Sequence, residues 1–339
     1  MNLLSPLYRS AKSCGFFRAS EALVRGQLRI LCYHGFSFLD EHQFNPWLFH
    51  APDVFAQRLT YMRKAGYASL PLEEAVLRLN SGKLGPKELV ITIDDGFYST
   101  AALALPLLEA HGFTATIYQT TYYMQHQNPI FRLAVQYMRW KTSKPAMDLS
   151  DLLPIANCTE PSPSTGPESW TLKAIKYGET ELDEAARVEL AREIGRRLDV
   201  DYQELVATRR LSLMNEAEVR ELVGRGFDIQ LHTHRHRMPL DADLVRREIS
   251  DNREALEPLT PQAPLHLCYP SGVWSIERWP ALEAEGVLTA TTCDPGLNNR
   301  HTPRYALRRF LDSQTTPQIK FEAEVTGFAP LVRRAMGRR

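Results

Sequence analysis

The sequence lacks long apolar runs, paired cysteines and an excess of charge of either sign, and each absence excludes a class of protein. No uncharged apolar stretch approaches the roughly 18 residues that a membrane-spanning helix needs. The basic and acidic residues balance at 40 each, so the net charge gives no indication of a nucleic-acid partner. With 339 residues and 44% hydrophobic content, the chain is suited to one large α/β domain with an insertion, or to two smaller domains.

The cysteines indicate the compartment. They number five, an odd count, and no CxxC pair occurs. Cys32, Cys268 and Cys293 lie inside apolar runs, where a reduced cysteine packs as a small hydrophobic residue. The stretch from Met1 to Arg29 also lacks the basic-then-apolar order of a secretion signal. We therefore expect a reducing compartment and a cytoplasmic protein.

Both termini carry basic residues. Residues 1–27 form an amphipathic N-terminal segment, in which charged side chains interrupt the apolar ones. Two alternatives fit this segment: an ordinary helix packed on the domain, or a helix in peripheral contact with the inner membrane surface. Residues 326–339 form a basic C-terminal tail with Arg333, Arg334, Arg338 and Arg339.

Short apolar segments recur along the chain, and most of them run directly into polar residues or turn formers. We expect each segment to be a buried strand of a parallel sheet, with helices in between. Catalytic groups gather at the C-terminal ends of such strands, so the pattern indicates one active site assembled from five loops. The predicted strands cover residues 28–33, 89–93, 114–118, 227–231, 265–268 and 287–293.

This rhythm breaks between about residues 122 and 211. The stretch combines an aromatic, apolar part at 130–140, a Pro/Ser/Thr-rich loop at 159–169 and a charged helical part at 182–198. We interpret it as one long, partly helical insertion.

Two adjacent carboxylates, Asp94 and Asp95, follow the strand at residues 89–93, and Gly96 allows a sharp turn there. Consecutive strand side chains point in opposite directions, so one aspartate can bind a cation while the other accepts a proton. Taken alone, the same residues are also typical of a solvated turn.

His232 and His236 are spaced i, i+4, which brings both imidazoles to one side of a tightly turned segment. With a carboxylate, such a pair is a familiar ligand set for a divalent metal, although two surface histidines show the same spacing. A metalloprotease requires Glu after the first histidine, and Thr233 stands there instead.

Together these motifs resemble those of the polysaccharide deacetylase family (the NodB-homology domain, carbohydrate esterase family 4). The resemblance implies an α/β fold, a distorted (β/α)7-type barrel over residues 28–325 with the insertion at about 122–211. It also implies a hydrolase acting on carbon–nitrogen bonds other than peptide bonds. The motifs that carry it are Thr92-Ile93-Asp94-Asp95-Gly96 and His232-Thr233-His234-Arg235-His236.

Within the first two motifs, the resemblance implies a role for each residue. Asp94 corresponds to the general base and Asp95 to the metal-binding aspartate. His232 and His236 correspond to the metal-binding histidines, which implies a divalent cation, with Zn²⁺ expected. Thr233 corresponds to the small hydroxyl residue that braces the histidine loop.

The third motif corresponds to Tyr269-Pro270-Ser271-Gly272. The resemblance implies that the backbone N–H of Ser271 helps to hold the oxyanion and that Tyr269 belongs to the same substrate-binding turn. Many family members begin this motif with an arginine that orients the base. Residues 265–268 read Leu-His-Leu-Cys instead, so the sequence does not say what orients Asp94.

The family's C-terminal Leu-His motif, which supplies the general acid, is missing, because no histidine follows Asp312. A subgroup resembling the biofilm poly-N-acetylglucosamine deacetylases carries this histidine on the first strand. Leu31-Cys32-Tyr33-His34 lies at that position. The resemblance implies that His34 protonates the leaving amine; the alternative is a histidine packed at a strand end.

The implied reaction is metal-assisted hydrolysis of the acetamide of an N-acetylated amino sugar, in a surface polysaccharide or its lipid-linked precursor. One alternative is an O-acetyl esterase acting on a similar glycan. Another is a catalytically silent glycan-binding module. The complete Asp/Asp/His/His set disfavours the latter, because a binding module has no use for a base beside a metal.

Overall fold

The computed structural model describes residues 4–144, 146–149, 151–153, 159–161 and 170–337. Cys158, most of the predicted loop at 159–169 and the last two arginines of the predicted tail lie outside these residues. The chain divides into two compact units. The first comprises Met1–Tyr122 and Met214–Arg339, and the second comprises Tyr123–Leu213.

The first unit is built on a parallel sheet, which confirms the predicted α/β fold class. Its order is β11-β10-β9-β6-β5-β1-β12, with β4 beside β5, and every pair in it is parallel. A small parallel pair, β2 with β3, lies apart from this sheet. The strands are β1 (Arg29–Tyr33), β2 (Gly35–Phe36), β3 (Phe49–His50), β4 (Ala68–Ser69), β5 (Glu88–Ile93), β6 (Thr116–Gln119), β9 (Asp228–Leu231), β10 (His266–Cys268), β11 (Thr289–Thr291) and β12 (Phe310–Leu311), while β7 (Ala146–Asp148) and β8 (Thr159–Pro161) belong to the second unit.

Residues 307–311 close this sheet into a distorted seven-strand barrel. Leu307 forms a parallel bridge with Thr291 of β11, and Phe310 is paired with Leu31 of β1. The N–H of Leu307 donates to the carbonyl of Ala290 at 2.9 Å. One short segment thus pairs with both edge strands of the sheet. The sequence did not predict this strand.

The barrel strands are apolar because both of their faces are buried. Leu89, Val90, Ile91 and Ile93 of β5 are all fully buried. Each such side chain contributes about 1.5–3 kcal/mol by leaving water. This burial fixes the register of β5 and therefore the position of the carboxylates that follow it.

Helices surround the barrel, and the described ones include none that is both long and apolar enough to cross a membrane. Asn215 and Glu218 form the capping box predicted at the start of one of them. The helices of this unit are α1 (Leu4–Ser13), α2 (Phe16–Leu23), α3 (Glu41–Phe44), α4 (Pro52–Lys64), α5 (Leu72–Asn80), α6 (Leu105–Ala110), α12 (Glu216–Gly224), α13 (Ala242–Leu256), α14 (Trp279–Ala284), α15 (Gln318–Val325) and α16 (Phe328–Ala335).

The terminal helices form one packed layer. Phe328 of α16 contacts the rings of Tyr8 in α1 and Phe17 in α2. Ala323 of α15 joins the same apolar cluster. The N-terminal segment is therefore packed on the first unit over the residues that are described.

The second unit is mostly helical. Within it, α9 (Trp170–Glu181) packs so closely on α8 (Phe131–Lys141) that a Cβ at Gly178 would lie 2.3 Å from the ring of Phe131. The two strands β7 and β8 form an antiparallel pair. The helices are α7 (Tyr122–His126), which begins at the boundary, α8 (Phe131–Lys141), α9 (Trp170–Glu181), α10 (Glu184–Leu198) and α11 (Tyr202–Thr208).

Candidate active site

Asp94 and Asp95 lie at the carboxyl end of β5, as the motif predicts. The N–H of Asp94 donates to the carbonyl of Tyr33 at 2.9 Å and continues the ladder between β1 and β5. Asp95 then takes a left-handed φ of 69°, and Gly96 one of 82°. A Cβ at Gly96 would lie 2.0 Å from the side-chain oxygen of Gln119, so this turn requires glycine.

Asp95, His232 and His236 meet at one point. One carboxylate oxygen of Asp95, Oδ1, lies 3.2 Å from His232 Nε2 and 3.2 Å from His236 Nε2. The three ligand atoms all lie within 4.8 Å of one another, a spacing that allows one ion to reach all of them. One carboxylate oxygen and two imidazole nitrogens form a donor set that suits Zn²⁺ and related divalent cations.

The orientation of His232 also fits metal binding. Its other ring nitrogen, Nδ1, lies 2.9 Å from the carbonyl oxygen of Cys268, which can only accept a hydrogen bond. Nδ1 must therefore carry the proton in the neutral ring, which leaves the Nε2 lone pair directed to the side of Asp95. This hydrogen bond also ties the histidine loop to the end of β10.

Backbone strain is concentrated at this site. Asp95, Thr233, His236 and Ser271 have φ values of 69°, 64°, 54° and 55°, in the left-handed region. Such a φ is costly for a β-branched residue such as Thr233. The Thr233 hydroxyl accepts the N–H of Arg237 at 3.1 Å and helps to hold this conformation. Strained backbone of this kind persists where the surrounding structure fixes a functional loop.

Helix α13 holds the histidine loop from behind. Asn252 is fully buried. Its side-chain oxygen accepts the backbone N–H of His232 at 2.9 Å, and its side-chain nitrogen donates to the backbone carbonyl of Gln119 at 3.0 Å. Glu248, one turn earlier, accepts the N–H of Arg235 at 2.8 Å, and its own carbonyl accepts the N–H of His234. The loop is therefore positioned by three hydrogen bonds from a single helix.

Arg309, from the strand that closes the barrel, holds Asp94. It is fully buried, and its Nη1 and Nη2 lie 2.6 and 2.8 Å from the two carboxylate oxygens of Asp94. Its remaining donors reach the Thr92 hydroxyl, the Thr292 carbonyl and the Cys268 sulfur. All five donors of the guanidinium are thus used, which fixes its plane and that of the carboxylate. The sequence left open what orients Asp94, and the structure assigns that contact to Arg309.

Arg309 also determines the charge of Asp94. Burial by itself would raise the pKa of Asp94, but the Arg309 guanidinium, assisted by His34, outweighs burial and holds the pKa below its ordinary value. Asp94 is therefore an ionised carboxylate at neutral pH, ready to accept a proton.

His34 lies at the end of β1, on the same side as the other motif residues. Its Nε2 is 3.7 Å from Oδ2 of Asp94. Its side chain is 19% exposed, so solvent or a substrate can reach it. Burial lowers the pKa of His34, and the carboxylates of Asp94 and Asp95 oppose this only in part.

The third motif follows β10 directly. The Tyr269 hydroxyl donates to the carbonyl of Tyr305 at 2.9 Å, and the Tyr269 N–H donates to the carbonyl of Thr291. Tyr269 is fully buried, so its polar groups serve the barrel itself. Ser271 is exposed, which leaves its N–H as the motif's candidate donor to a substrate.

Sequence reasoning missed Arg309 and Asn252. Asn252 had a detectable signal, because it interrupts the apolar stripe of α13 between Ile249 and Leu256 at helical spacing. The sequence contains little indication of Arg309, because two adjacent arginines, Arg308 and Arg309, are not typical of a buried strand.

Comparison with known proteins agrees with this picture. Residues 196–289 match the family model described as polysaccharide deacetylase, a span that includes His232, His236 and the third motif. A search of curated proteins finds no match.

Solved structures share the fold at low sequence identity. The Streptococcus pyogenes deacetylase PplD, in complex with acetate, is 16% identical with a TM-score of 0.59, over 88% of this chain and 98% of that one. A de-N-acetylase from Aggregatibacter actinomycetemcomitans is 14% identical with a TM-score of 0.56, over 88% and 99%. IcaB from Ammonifex degensii is 15% identical with a TM-score of 0.54, over 89% and 97%.

The resemblance seen in the two sequence motifs is therefore confirmed at the level of the family. The matched span carries two of the three candidate metal ligands, and the barrel brings Asp94 and Asp95 to them. Residues 196–289 thus match the polysaccharide deacetylase family, on a fold that the chain shares with solved deacetylase structures.

Proposed function

We propose that this protein is a metal-dependent de-N-acetylase that hydrolyses the acetamide of N-acetylated amino sugars in a surface polysaccharide or its lipid-linked precursor. The observation that carries the proposal is the ionised Asp94, held by Arg309, next to the triad of Asp95, His232 and His236. A glycan-binding module would have no need for this buried base.

Asp95, His232 and His236 would hold the cation, with Zn²⁺ as the expected ion. When bound, a divalent cation supplies a Lewis acid that polarises the acetamide carbonyl and activates a water. The chain's own residues account for the proton transfers and for the binding of the substrate.

Asp94 accepts a proton from the attacking water, because it is ionised and its carboxylate is fixed in one plane. Asp94 Oδ2 and His34 Nε2 are 3.7 Å apart, which is longer than a hydrogen bond, so that proton reaches His34 across one bridging water. His34 then donates it to the nitrogen of the breaking C–N bond, since an amine leaves poorly unless it is protonated. The N–H of Ser271 donates to the carbonyl oxygen as negative charge develops there.

The test is to incubate the purified full chain with oligosaccharides of N-acetylglucosamine and to quantify acetate and free amine. Equal amounts of both, absent with Asp94→Asn, would support de-N-acetylation. An O-acetylated glycan serves as the second substrate. Release of acetate from this glycan alone, without free amine, would favour the esterase alternative. No acetate from either substrate, with the metal bound, would leave the glycan-binding alternative.

The location is part of the same proposal. We propose a cytoplasmic enzyme in peripheral contact with the inner membrane through its N-terminal segment. Cys14, Cys32, Cys268 and Cys293 are all free thiols, which fits a reducing compartment. Cell fractionation with detection of the native protein tests this, and recovery from a periplasmic fraction would contradict it.

A further inference from the structure

A basic cavity lies on the first unit, away from the candidate active site. Its volume is about 640 Å³, and it lies between α1, α2, the end of α4 and α15. Four cations and one carboxylate line it, which gives these residues a net charge of +3 in a chain whose total charge is zero. The charged lining residues are Lys12, Arg18, Lys64, Lys87 and Glu21.

The carboxylates next to this cavity are already engaged. Glu21 accepts both Lys87, at 2.8 Å, and the hydroxyl of Tyr67. Lys12 pairs with Glu322 of α15. Within the described part of the chain, Arg18 and Lys64 form no ion pair, so two cations remain available to an anion.

Exposed apolar side chains stand on the same helices. Leu7, Phe16 and Leu23 are 53%, 55% and 73% exposed. Phe16 and Leu23 are seven residues apart and so lie on one side of α2, while Phe17 packs into the helical layer. Large exposed apolar residues beside unpaired cations are typical of a helix at a lipid surface.

We propose that this cavity binds the phosphate headgroup of an anionic phospholipid, with Arg18 and Lys64 as its ligands and Phe16 and Leu23 in the lipid. The inference deepens the proposed membrane contact of the N-terminal segment and rests on that part of the proposed function, but it does not depend on the proposed reaction. A free phosphate would use the same two cations but would gain nothing from the exposed apolar residues.

The cavity and the candidate active site lie at opposite ends of the barrel. Lys87 immediately precedes β5, whereas Asp94 and Asp95 follow it, and a six-residue strand spans about 20 Å. A bilayer held at the cavity would leave the catalytic residues facing away from it. Variants in the cavity should therefore keep full activity on a soluble oligosaccharide.

The experiment is co-sedimentation of the full chain with phosphatidylcholine vesicles, with and without phosphatidylglycerol. The double variant Arg18→Gln/Lys64→Gln should bind the anionic vesicles about thirtyfold more weakly, at about 1 kcal/mol for each cation lost. The matched control Lys176→Gln/Arg247→Gln removes the same charge from two exposed residues on α9 and α13 and should bind normally. Phe16→Ser/Leu23→Ser should also weaken binding.

Equal losses in the double variant and its control would show that only net charge matters and would overturn the site. Binding without a preference for phosphatidylglycerol would overturn it as well. Binding of inorganic phosphate in titration calorimetry, combined with no binding to vesicles, would show a free-anion site and overturn the lipid proposal. Thermal unfolding of each variant confirms that the compared proteins are folded.

Discussion

Replacing Arg309 with methionine, a side chain of similar length without charge, should raise the pKa of Asp94. In the native protein, burial raises the pKa of Asp94, but the guanidinium outweighs it. Without Arg309, the main opposition to burial is lost, and His34, at 3.7 Å, and His232 oppose it only in part. The pKa of Asp94 should then rise above its ordinary value.

The size of the shift follows from the contact that is lost. Arg309 is fully buried, the Asp94 side chain is 3% exposed, and two short charge-assisted hydrogen bonds join them. Removing one partner of such a buried pair costs about 3–5 kcal/mol. At 1.36 kcal/mol per unit, this corresponds to an upward shift of about two to four pKa units, less whatever solvent enters the space.

The assay is the pH dependence of kcat/KM for deacetylation, which reports the pKa values of the free enzyme. In the native enzyme, Asp94 stays ionised far into the acid range and does not limit activity there. In Arg309→Met, activity should fall as the pH drops through the raised pKa of Asp94. Arg58→Met is the matched control, because Arg58 forms a similar buried pair with Asp312 and none with Asp94.

Stability should change with pH in a defined direction. The native pKa of Asp94 is depressed, so its stabilising contribution is present above its unfolded pKa and is lost as the pH falls through its folded pKa. In Arg309→Met the folded pKa is raised, so ionisation of Asp94 costs stability as the pH rises. Denaturation should therefore show a larger stability deficit at pH ~7 than at pH ~4. In the pH profile of kcat/KM, the fall in activity at acidic pH should shift in Arg309→Met and not in Arg58→Met. An equal shift in both variants would refute the conclusion that Arg309 holds the base.

Three further predictions concern the base, the histidine loop and the acid. Asp94→Asn cannot accept a proton, so turnover should fall about 10²–10⁴-fold while elemental analysis shows an unchanged metal content. Near-normal turnover would mean that Asp94 is not the base, and loss of the metal would mean that the two aspartates have each other's roles. Asn252→Leu leaves the buried backbone N–H of His232 without its acceptor, so metal affinity should fall about 10–100-fold in a competition titration with a chelator. Ser250 is exposed on the same helix, and the control Ser250→Ala should not change the affinity. His34→Ala should lose most activity on an acetamide but little on phenyl acetate, because phenolate leaves without a proton; equal losses on both would show that His34 is structural.

The sequence predicted the parts of the fold whose residues carry a local pattern. The strand at β5 was predictable because four of the five residues from Leu89 to Ile93 are aliphatic, and a short run of this kind is typical of a strand buried on both faces. The capping box at Asn215 was predictable because it depends on two residues three positions apart. The grouping of Asp95, His232 and His236 followed from two motifs at strand ends.

The closing strand could not be predicted on the same grounds. It has only two residues, Phe310 and Leu311, and two arginines precede it. Arg309 is stable inside the barrel because acceptors from three different segments surround it, and these are neighbours only after folding. Such a contact is a property of the tertiary structure, and no spacing in the sequence encodes it.

The most direct test of the account is the metal dependence of deacetylation in one preparation of the full chain. The protein should contain about one divalent ion per chain by elemental analysis, lose acetate release when the ion is removed with a chelator, and recover it in proportion to added Zn²⁺. Asp95→Ala and His236→Ala should neither retain the ion nor recover activity. Full deacetylation by the metal-free protein, or full metal occupancy in both variants, would contradict the central claim that these residues form a metal-dependent catalytic site.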